Sequence, residues 1–386
     1  MRVLFTSTSG QGHFQRLIPF IRSFRERGDE VLAVVPSKLA TTVESLEIEF
    51  RLSADPDLDA ADKLWAQFDS LARADASALV ERDWFAGLCL RAMLPSVEKT
   101  VREWRPDLVV RESCEYAGVI AADQYDARHT TVGISTARAE SSVLHKFTGP
   151  VLEEFSAGLA SRVENSPYVT HFPASLDPSP FPLTVRYREN DVHETQPLES
   201  WWEDETPPLI YVTLGTVVTS MPHGKDILRM ILDALSDVDA RILVTTGMSL
   251  SPDQLGQVAN NVHLEQWVSH ADAVAASTLV ICHGGSGTVF GSLAAGVPLV
   301  IAPFFADQTT NAALVEASGA GVALISGSGS VEENVKAVMG SKETLRSVVT
   351  KVLETPTFRE AAQLIARELL GADTPATVID RLVAMK

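Results

Sequence analysis

Short apolar runs alternate with amphipathic stretches along most of this chain, and that rhythm constrains the fold more than any other feature. Residues 3–5 and 31–35 read as strands, residues 17–24 between them as a helix, and Gly28-Asp29 as the stop between helix and strand. A strand, a helix and a strand in that order imply a parallel pair, because the helix carries the chain back to the end of the sheet where it began. The rhythm resumes at 107–110, 130–134 and 168–172, with a helix-like stretch over 115–125. A second series follows at 209–214, 241–245, 262–264, 279–282, 298–301 and 322–325, with a helix over about 223–235. Two Rossmann-like, doubly wound α/β domains with parallel sheets, facing across a cleft, are the expected architecture.

The 386 residues suffice for two such domains. Residues 1–190 read as the first and 209–362 as the second. The polar, acidic, proline-punctuated stretch 191–208 reads as the linker between them. Residues 363–386 read as terminal helices, the last packing back on the first domain. The formal charge of −18 is the wrong sign for a phosphate-backbone binder, so any anionic ligand has to be held by local dipoles. Three widely spaced cysteines, Cys89, Cys114 and Cys282, indicate reduced, buried thiols rather than a disulfide framework. The apolar start is too short for a signal peptide and no run approaches the ~18 residues of a membrane span, so the expected location is the cytoplasm.

Two glycine-rich turns follow strands and precede helices, where open parallel sheets place their ligands. The first is Ser9-Gly10-Gln11-Gly12-His13. Gln15 stands where a dinucleotide-binding turn needs its third glycine, which disfavours a nicotinamide or flavin site. At a strand end, a neutral His13 imidazole can take a proton from a hydroxyl; a helix-capping histidine without chemistry is the plainer alternative. Such a base gains from a carboxylate that orients it. Glu112, after the run 107–110, would emerge at a strand end of its own, whereas Glu115 opens a helix, where an acid serves the dipole.

The second turn is Cys282-His283-Gly284-Gly285-Ser286-Gly287-Thr288-Val289. Its glycines let a bulky anion approach the backbone, the amides of residues 286–288 are free at a helix start, and the Ser286 and Thr288 hydroxyls can donate. A diphosphate fits that description, although no Gly-Lys-Ser/Thr follows and ATP hydrolysis is unsupported. Downstream, Asp307 and Gln308 offer acceptors and donors that match vicinal sugar hydroxyls; Asp307 as a simple helix cap is the alternative. No histidine cluster has the spacing of metal ligands, and no metal is expected.

On these residues the chain resembles the GT-B glycosyltransferases, and among them the bacterial, actinomycete-type natural-product group that uses sugar nucleotides. The likeness rests on Gly12-His13, on Pro106-Asp107-Leu108-Val109-Val110 followed by an acid, on Val212-Thr213-Leu214-Gly215-Thr216, on Gln266-Trp267-Val268, and on the pair 283–288 and 303–311. It implies His13 as the general base of an inverting transfer, with Glu112 in place of the aspartate that usually partners it. It implies Gly12, Thr216, His283, Gly285, Ser286, Gly287 and Thr288 as donor contacts, chiefly around the diphosphate. Trp267 and Val268 then fall at the nucleobase, and Asp307 and Gln308 at the sugar.

The resemblance further implies a nucleotide-sugar co-substrate, dTDP-linked in preference to UDP-linked, with no other cofactor and no metal. The acceptor it implies is a lipophilic polyketide, enediyne or macrolide aglycone, in antibiotic biosynthesis. Phe14, Trp65, Phe68, Trp84 and Phe85 are the expected acceptor contacts, with core packing as the alternative for each. Neither nucleic acid nor a membrane belongs among the partners, and a homodimer is compatible with the reading. Two other functions fit the same motifs: a GT-B epimerase or hydrolase acting on the nucleotide sugar itself, and a non-catalytic accessory protein that activates a partner transferase.

Overall fold

The computed structural model describes residues 1–68, 71, 73–188, 207–305 and 307–385. The linker expected over 191–208 therefore lies outside the described residues, apart from Pro207 and Pro208. The chain divides into two units, Met1–Asn190 with Gly371–Lys386, and Asp191–Leu370.

Among the described residues the first unit carries seven strands: β1 (Arg2–Thr6), β2 (Glu30–Val35), β3 (Glu49–Leu52), β4 (Leu108–Glu112), β5 (Arg128–Val132), β6 (Tyr168–Thr170) and β7 (Thr184–Arg186). They pair in parallel in the order β3-β2-β1-β4-β5-β6-β7. Successive side chains on a strand face opposite sides, so each strand feeds two cores. Val3 and Phe5 join Ala33, Val35, Leu108 and Val110 on one face, while Leu4 joins Leu32, Val34 and Val109 on the other. The strand order reverses between β1 and β4, and at such a reversal the connections leave to opposite faces and open a crevice at the carboxyl ends.

The helix Ile18–Glu26 buries Phe20, Ile21 and Phe24 in the first of these cores. The last helix, Pro375–Ala384, packs on it through Val378, Ile379 and Leu382. Residue 362, the expected end of the second domain, falls inside the helix Pro356–Leu370, which stays with the second unit. The long helical stretch expected after residue 54 is broken into Leu58–Trp65, Arg73–Ala78, an eleven-residue π-helix Leu79–Cys89, and Leu90–Trp104.

The second unit carries, among the described residues, β8 (Leu209–Thr213), β9 (Arg241–Thr245), β10 (Val262–Glu265), β11 (Leu279–Cys282), β12 (Leu299–Ile301) and β13 (Gly321–Ala323). They are all parallel, in the order β10-β9-β8-β11-β12-β13, so the reversal here falls between β8 and β11. Ile210, Val212, Ile242, Val244 and Ile281 pack against Ile227, Ile231 and Leu235 of the helix Gly224–Leu235. The three cysteines are free thiols, Cys89 and Cys282 buried and Cys114 partly so. No helix among the described residues is long and apolar enough to cross a membrane.

Candidate active site

The reversal point of the first sheet is where His13 and Glu112 meet. His13 lies on the short helix Gln11–Gln15 that follows β1, and Glu112 is the last residue of β4. Gly10 leaves room for the ring, since a Cβ there would stand 2.9 Å from His13 Cδ2. Glu112 is fully buried, and its Oε1 accepts hydrogen bonds from the Thr8 amide at 3.0 Å and the Thr8 hydroxyl at 2.7 Å. Its Oε2 accepts from the Cys114 amide at 2.7 Å. His13 Nδ1 stands 3.1 Å from Thr8 Oγ1 and 3.4 Å from Glu112 Oε1. The imidazole side chain keeps 23% exposure, which a base that must reach a substrate requires.

Burial drives Glu112 toward its neutral form, but the His13 charge and the hydrogen bonds from His13 and Thr8 outweigh it and hold the carboxyl below its usual range. Burial likewise lowers His13, and the Glu112 charge and hydrogen bond, with smaller contributions from Glu81 and Glu140, more than reverse it and leave the imidazole raised above 6.5. Around this dyad, burial pushes Glu81, Glu115 and Glu140 up to about 7. Glu140 is held by the Ser113 and Tyr168 hydroxyls and by the Ile134 and Ser135 amides. Glu115 accepts from the Thr6 hydroxyl and the Gly118 amide, a structural duty that agrees with its place before a helix.

His13, Glu112 and Cys114 place potential metal-ligand atoms within 4.8 Å of one another, the one such trio among the described residues. Both oxygens of Glu112 already accept hydrogen bonds, and burial holds the Cys114 thiol protonated, so these two groups are not set as ready ligands for a cation.

Phe85 of the π-helix packs on His13 with ring centroids 5.5 Å apart. Next to it in the chain, Trp84 meets Trp65 at 5.3 Å, and Trp65 meets Phe68 at 5.6 Å. Of these four aromatics, expected at the acceptor, Phe85 is the one with a ring contact to His13 among the described residues, and Trp65, Phe68 and Trp84 form a partly exposed cluster of their own. Phe14 is a correction. It is fully buried among Val3, Phe5, Leu17 and Tyr187, because one residue along a helix turns the side chain by about 100°, and a helix that exposes His13 buries its successor.

The second site gathers at the reversal between β8 and β11. His283 follows β11, and its ring lies beside Gly215, which follows β8, and beside Gly285. Burial pushes His283 down to about 4, so the imidazole is neutral, and its Nδ1 is buried with no hydrogen-bond partner among the described residues. Gly284 has φ +93, and a Cβ there would meet Ile301 Cγ2 at 2.8 Å and the Gln308 carbonyl at 3.0 Å, so glycine is required. The helix Ser286–Ala294 then begins with no side-chain cap, leaving the amides of Ser286, Gly287 and Thr288 open.

The hydroxyl of Ser286, expected to face a ligand, already donates to Asp307 Oδ2 at 2.6 Å. Asn311 Nδ2 donates to the Gly284 carbonyl at 2.9 Å, to Ser286 Oγ at 3.1 Å and to Asp307 Oδ2 at 3.0 Å. Asp307 precedes the helix Gln308–Ala317, yet its side chain does not cap that helix; it ties the two loops together and leaves Oδ1 to offer. Gln308 is buried, with Oε1 accepting from the Phe304 and Phe305 amides, so only its amide nitrogen remains for a ligand. Trp267, expected at the nucleobase, follows β10 and is 69% exposed, with Val268 half-buried beside it. Gly12 and Gly287 face open space. Thr216 lies in the helix Gly215–Ser220, and its side chain is outside the described residues.

Sequence reasoning missed three residues that shape these sites. Thr8 stands between His13 and Glu112, and Asn311 joins the two loops of the second unit. Arg111 is 2% exposed and grips the carbonyls of Glu112, Ser113 and Glu115 at 3.2, 3.0 and 2.7 Å, which fixes the turn after β4. An arginine inside an apolar strand was the one signal that could have found it.

Residues 229–385 match the family model described as erythromycin biosynthesis protein CIII-like, C-terminal domain. The chain is 29% identical to the L-demethylnoviosyl transferase of Streptomyces niveus, over 84% of this chain and 85% of that protein. It is 26% identical to the tylactone mycaminosyltransferase of Streptomyces fradiae, over 99% of this chain and 92% of that protein. The spinosyn rhamnosyltransferase SpnG, solved in complex with thymidine diphosphate, superposes with a TM-score of 0.76 at 20% identity, over 99% of this chain and 100% of that one. The two parallel-sheet units are those of the GT-B fold.

Proposed function

Because this chain is a glycosyltransferase of GT-B architecture, we propose that it moves a deoxysugar from a dTDP-linked donor to a hydroxyl of a lipophilic aglycone in antibiotic biosynthesis, with inversion at the anomeric carbon and His13 as general base. The observation that carries the reading is the imidazole itself. Its Nδ1 faces Thr8 and Glu112, its Nε2 makes no hydrogen bond among the described residues, and Phe85 packs on the ring.

In the transfer, Nε2 takes the acceptor hydroxyl's proton while that oxygen forms its bond to the anomeric carbon. The bond from that carbon to the β-phosphate oxygen breaks, and its electron pair leaves with dTDP. In-line attack gives inversion. The open amides of Ser286, Gly287 and Thr288 meet the charge that grows on the diphosphate, and the start of that helix supplies the positive field a metal ion would otherwise supply. Trp267 stacks on the nucleobase, Asp307 accepts from sugar hydroxyls, and Trp65, Phe68, Trp84 and Phe85 take the aglycone. The dTDP preference is supported by the thymidine diphosphate in SpnG, and a polyketide-type acceptor by the tylactone transferase.

Calorimetric titration with dTDP and with UDP, followed by transfer from a dTDP-deoxyhexose to a panel of lipophilic aglycones, tests this. Saturable binding of dTDP, tighter than UDP, and acceptor-dependent transfer are expected. Binding of neither nucleotide, or release of free sugar without an acceptor, would overturn it.

A further inference from the structure

We propose that Thr8 is a positioning residue that sets the tautomer of His13, holding the proton on Nδ1 so that Nε2 carries the free lone pair. The proposal rests on the reading of His13 as the base, and follows from counting protons among three side chains. Glu112 is buried, with hydrogen bonds donated to its oxygens by two backbone amides and a hydroxyl, the surroundings of an ionised carboxylate that has no proton to give. The 2.7 Å contact between Thr8 Oγ1 and Glu112 Oε1 is therefore a bond in which Thr8 donates its single hydroxyl proton. Toward His13, at 3.1 Å, the same oxygen can then only accept, so Nδ1 is the donor. The direct separation from Nδ1 to Glu112 Oε1, 3.4 Å, is long for a hydrogen bond, and the hydroxyl fills the gap.

When Nε2 takes up a proton the ring becomes positive, and Glu112 stabilises it both directly and through the Thr8 dipole; no proton passes through Thr8. The groups facing His13 from the packed elements are Glu112 at the end of β4, Cys114 just after it, Glu81 on the π-helix and Glu140 on the helix Ala137–Val143. An ionised carboxylate can also accept from Nδ1–H, but Glu112 Oε1 stands 3.4 Å away, whereas the Thr8 oxygen is at 3.1 Å, so Thr8 is the nearer acceptor to that nitrogen.

The test compares Thr8→Val, which keeps shape and removes the hydroxyl, with Thr8→Ser, which restores it. The first readout is ¹⁵N NMR of the His13 ring in the full chain at a pH where it is neutral, which reports the tautomer without reference to catalysis. The expected result is a protonated Nδ1 in the wild type and in Thr8→Ser, and a smaller Nδ1-protonated fraction in Thr8→Val, where only the more distant Glu112 is left to accept. The second readout is kcat against pH with saturating substrates. Thr8→Val is expected to lower kcat about tenfold, the worth of one hydrogen bond in a transition state, with donor KM unchanged. Its acidic limb should move to higher pH by up to about one unit, because Glu112 loses a donor and leans on the imidazole instead. Thr8→Ser should return both to near wild-type values. An unchanged ring tautomer and pH profile in Thr8→Val would overturn the proposal. Persistent transfer by His13→Ala would instead remove the base assignment, leaving the NMR result to decide what Thr8 does.

Discussion

At the scale of single residues, the proposed catalysis turns on a histidine whose protonation is shared among neighbours. His13→Ala is expected to lower kcat by on the order of 10³-fold with dTDP affinity unchanged, measured by steady-state transfer and calorimetry, because it removes the base and leaves the donor loop intact. The working form of a base is the unprotonated one. Since Glu112 holds His13 above 6.5, the transfer rate should fall as pH drops through that raised value and level off above it. Glu112→Gln is expected to cost on the order of 10³–10⁴-fold in kcat, since an amide can donate to Nδ1 and leave the proton on the wrong nitrogen. Both dyad residues were legible in the sequence because each follows an apolar strand run, and open sheets place chemistry there. Thr8 was not, because its meaning comes from a carboxylate 104 residues away. Nothing local separates it from Thr6 or Ser7, and Phe14 misled for the related reason that helix phase decides burial within a single residue.

At the scale of elements, the loop 283–288 is built by its partner loop as much as by its own glycines. Asn311→Ala removes three hydrogen bonds that tie Gly284, Ser286 and Asp307 together, and is expected to cost about 2 kcal/mol in urea unfolding of the second unit and to weaken dTDP binding about tenfold. Gly284→Ala, at φ +93, should cost about as much through backbone strain and contact with Ile301, and should likewise weaken dTDP. Wild-type affinity in either variant would mean that loop geometry does not set the binding site. The glycine turns and the strand–helix alternation were plain in the sequence because residue type alone carries them. The π-helix Leu79–Cys89 was not, since over eleven residues its apolar pattern is close to that of an α-helix and the difference lies only in which carbonyl each amide reaches. Phe85, which packs on His13, lies on that π-helix.

At the scale of the whole chain, the two units should unfold as separable bodies, and the last helix belongs to the unit that lies farther from it in sequence. Val378, Ile379 and Leu382 are fully buried in the core around Phe20 and Ile21, the Leu382 carbonyl accepts from Arg128, and the Asp373 carbonyl from the Arg188 amide. The helices ending at Leu370 and starting at Pro375 were legible in the sequence, but the second domain was ended at residue 362, because an amphipathic helix such as Pro356–Leu370 carries no local sign of which core its apolar face covers. Truncation after Leu370 removes three side chains whose burial is worth roughly 1.5–3 kcal/mol each, an upper estimate, against a stability of about 5–15 kcal/mol for a typical domain. Scanning calorimetry of the truncated chain is therefore expected to show the first unit melting at a markedly lower temperature while the second keeps its transition. Adding dTDP at about 100 times its Kd should raise that second transition by the equivalent of ~2.7 kcal/mol and leave the first where it was. A single transition that moves with both truncation and nucleotide would mean that the units fold as one, and that the helix start at Ser286 is coupled to the core beneath His13.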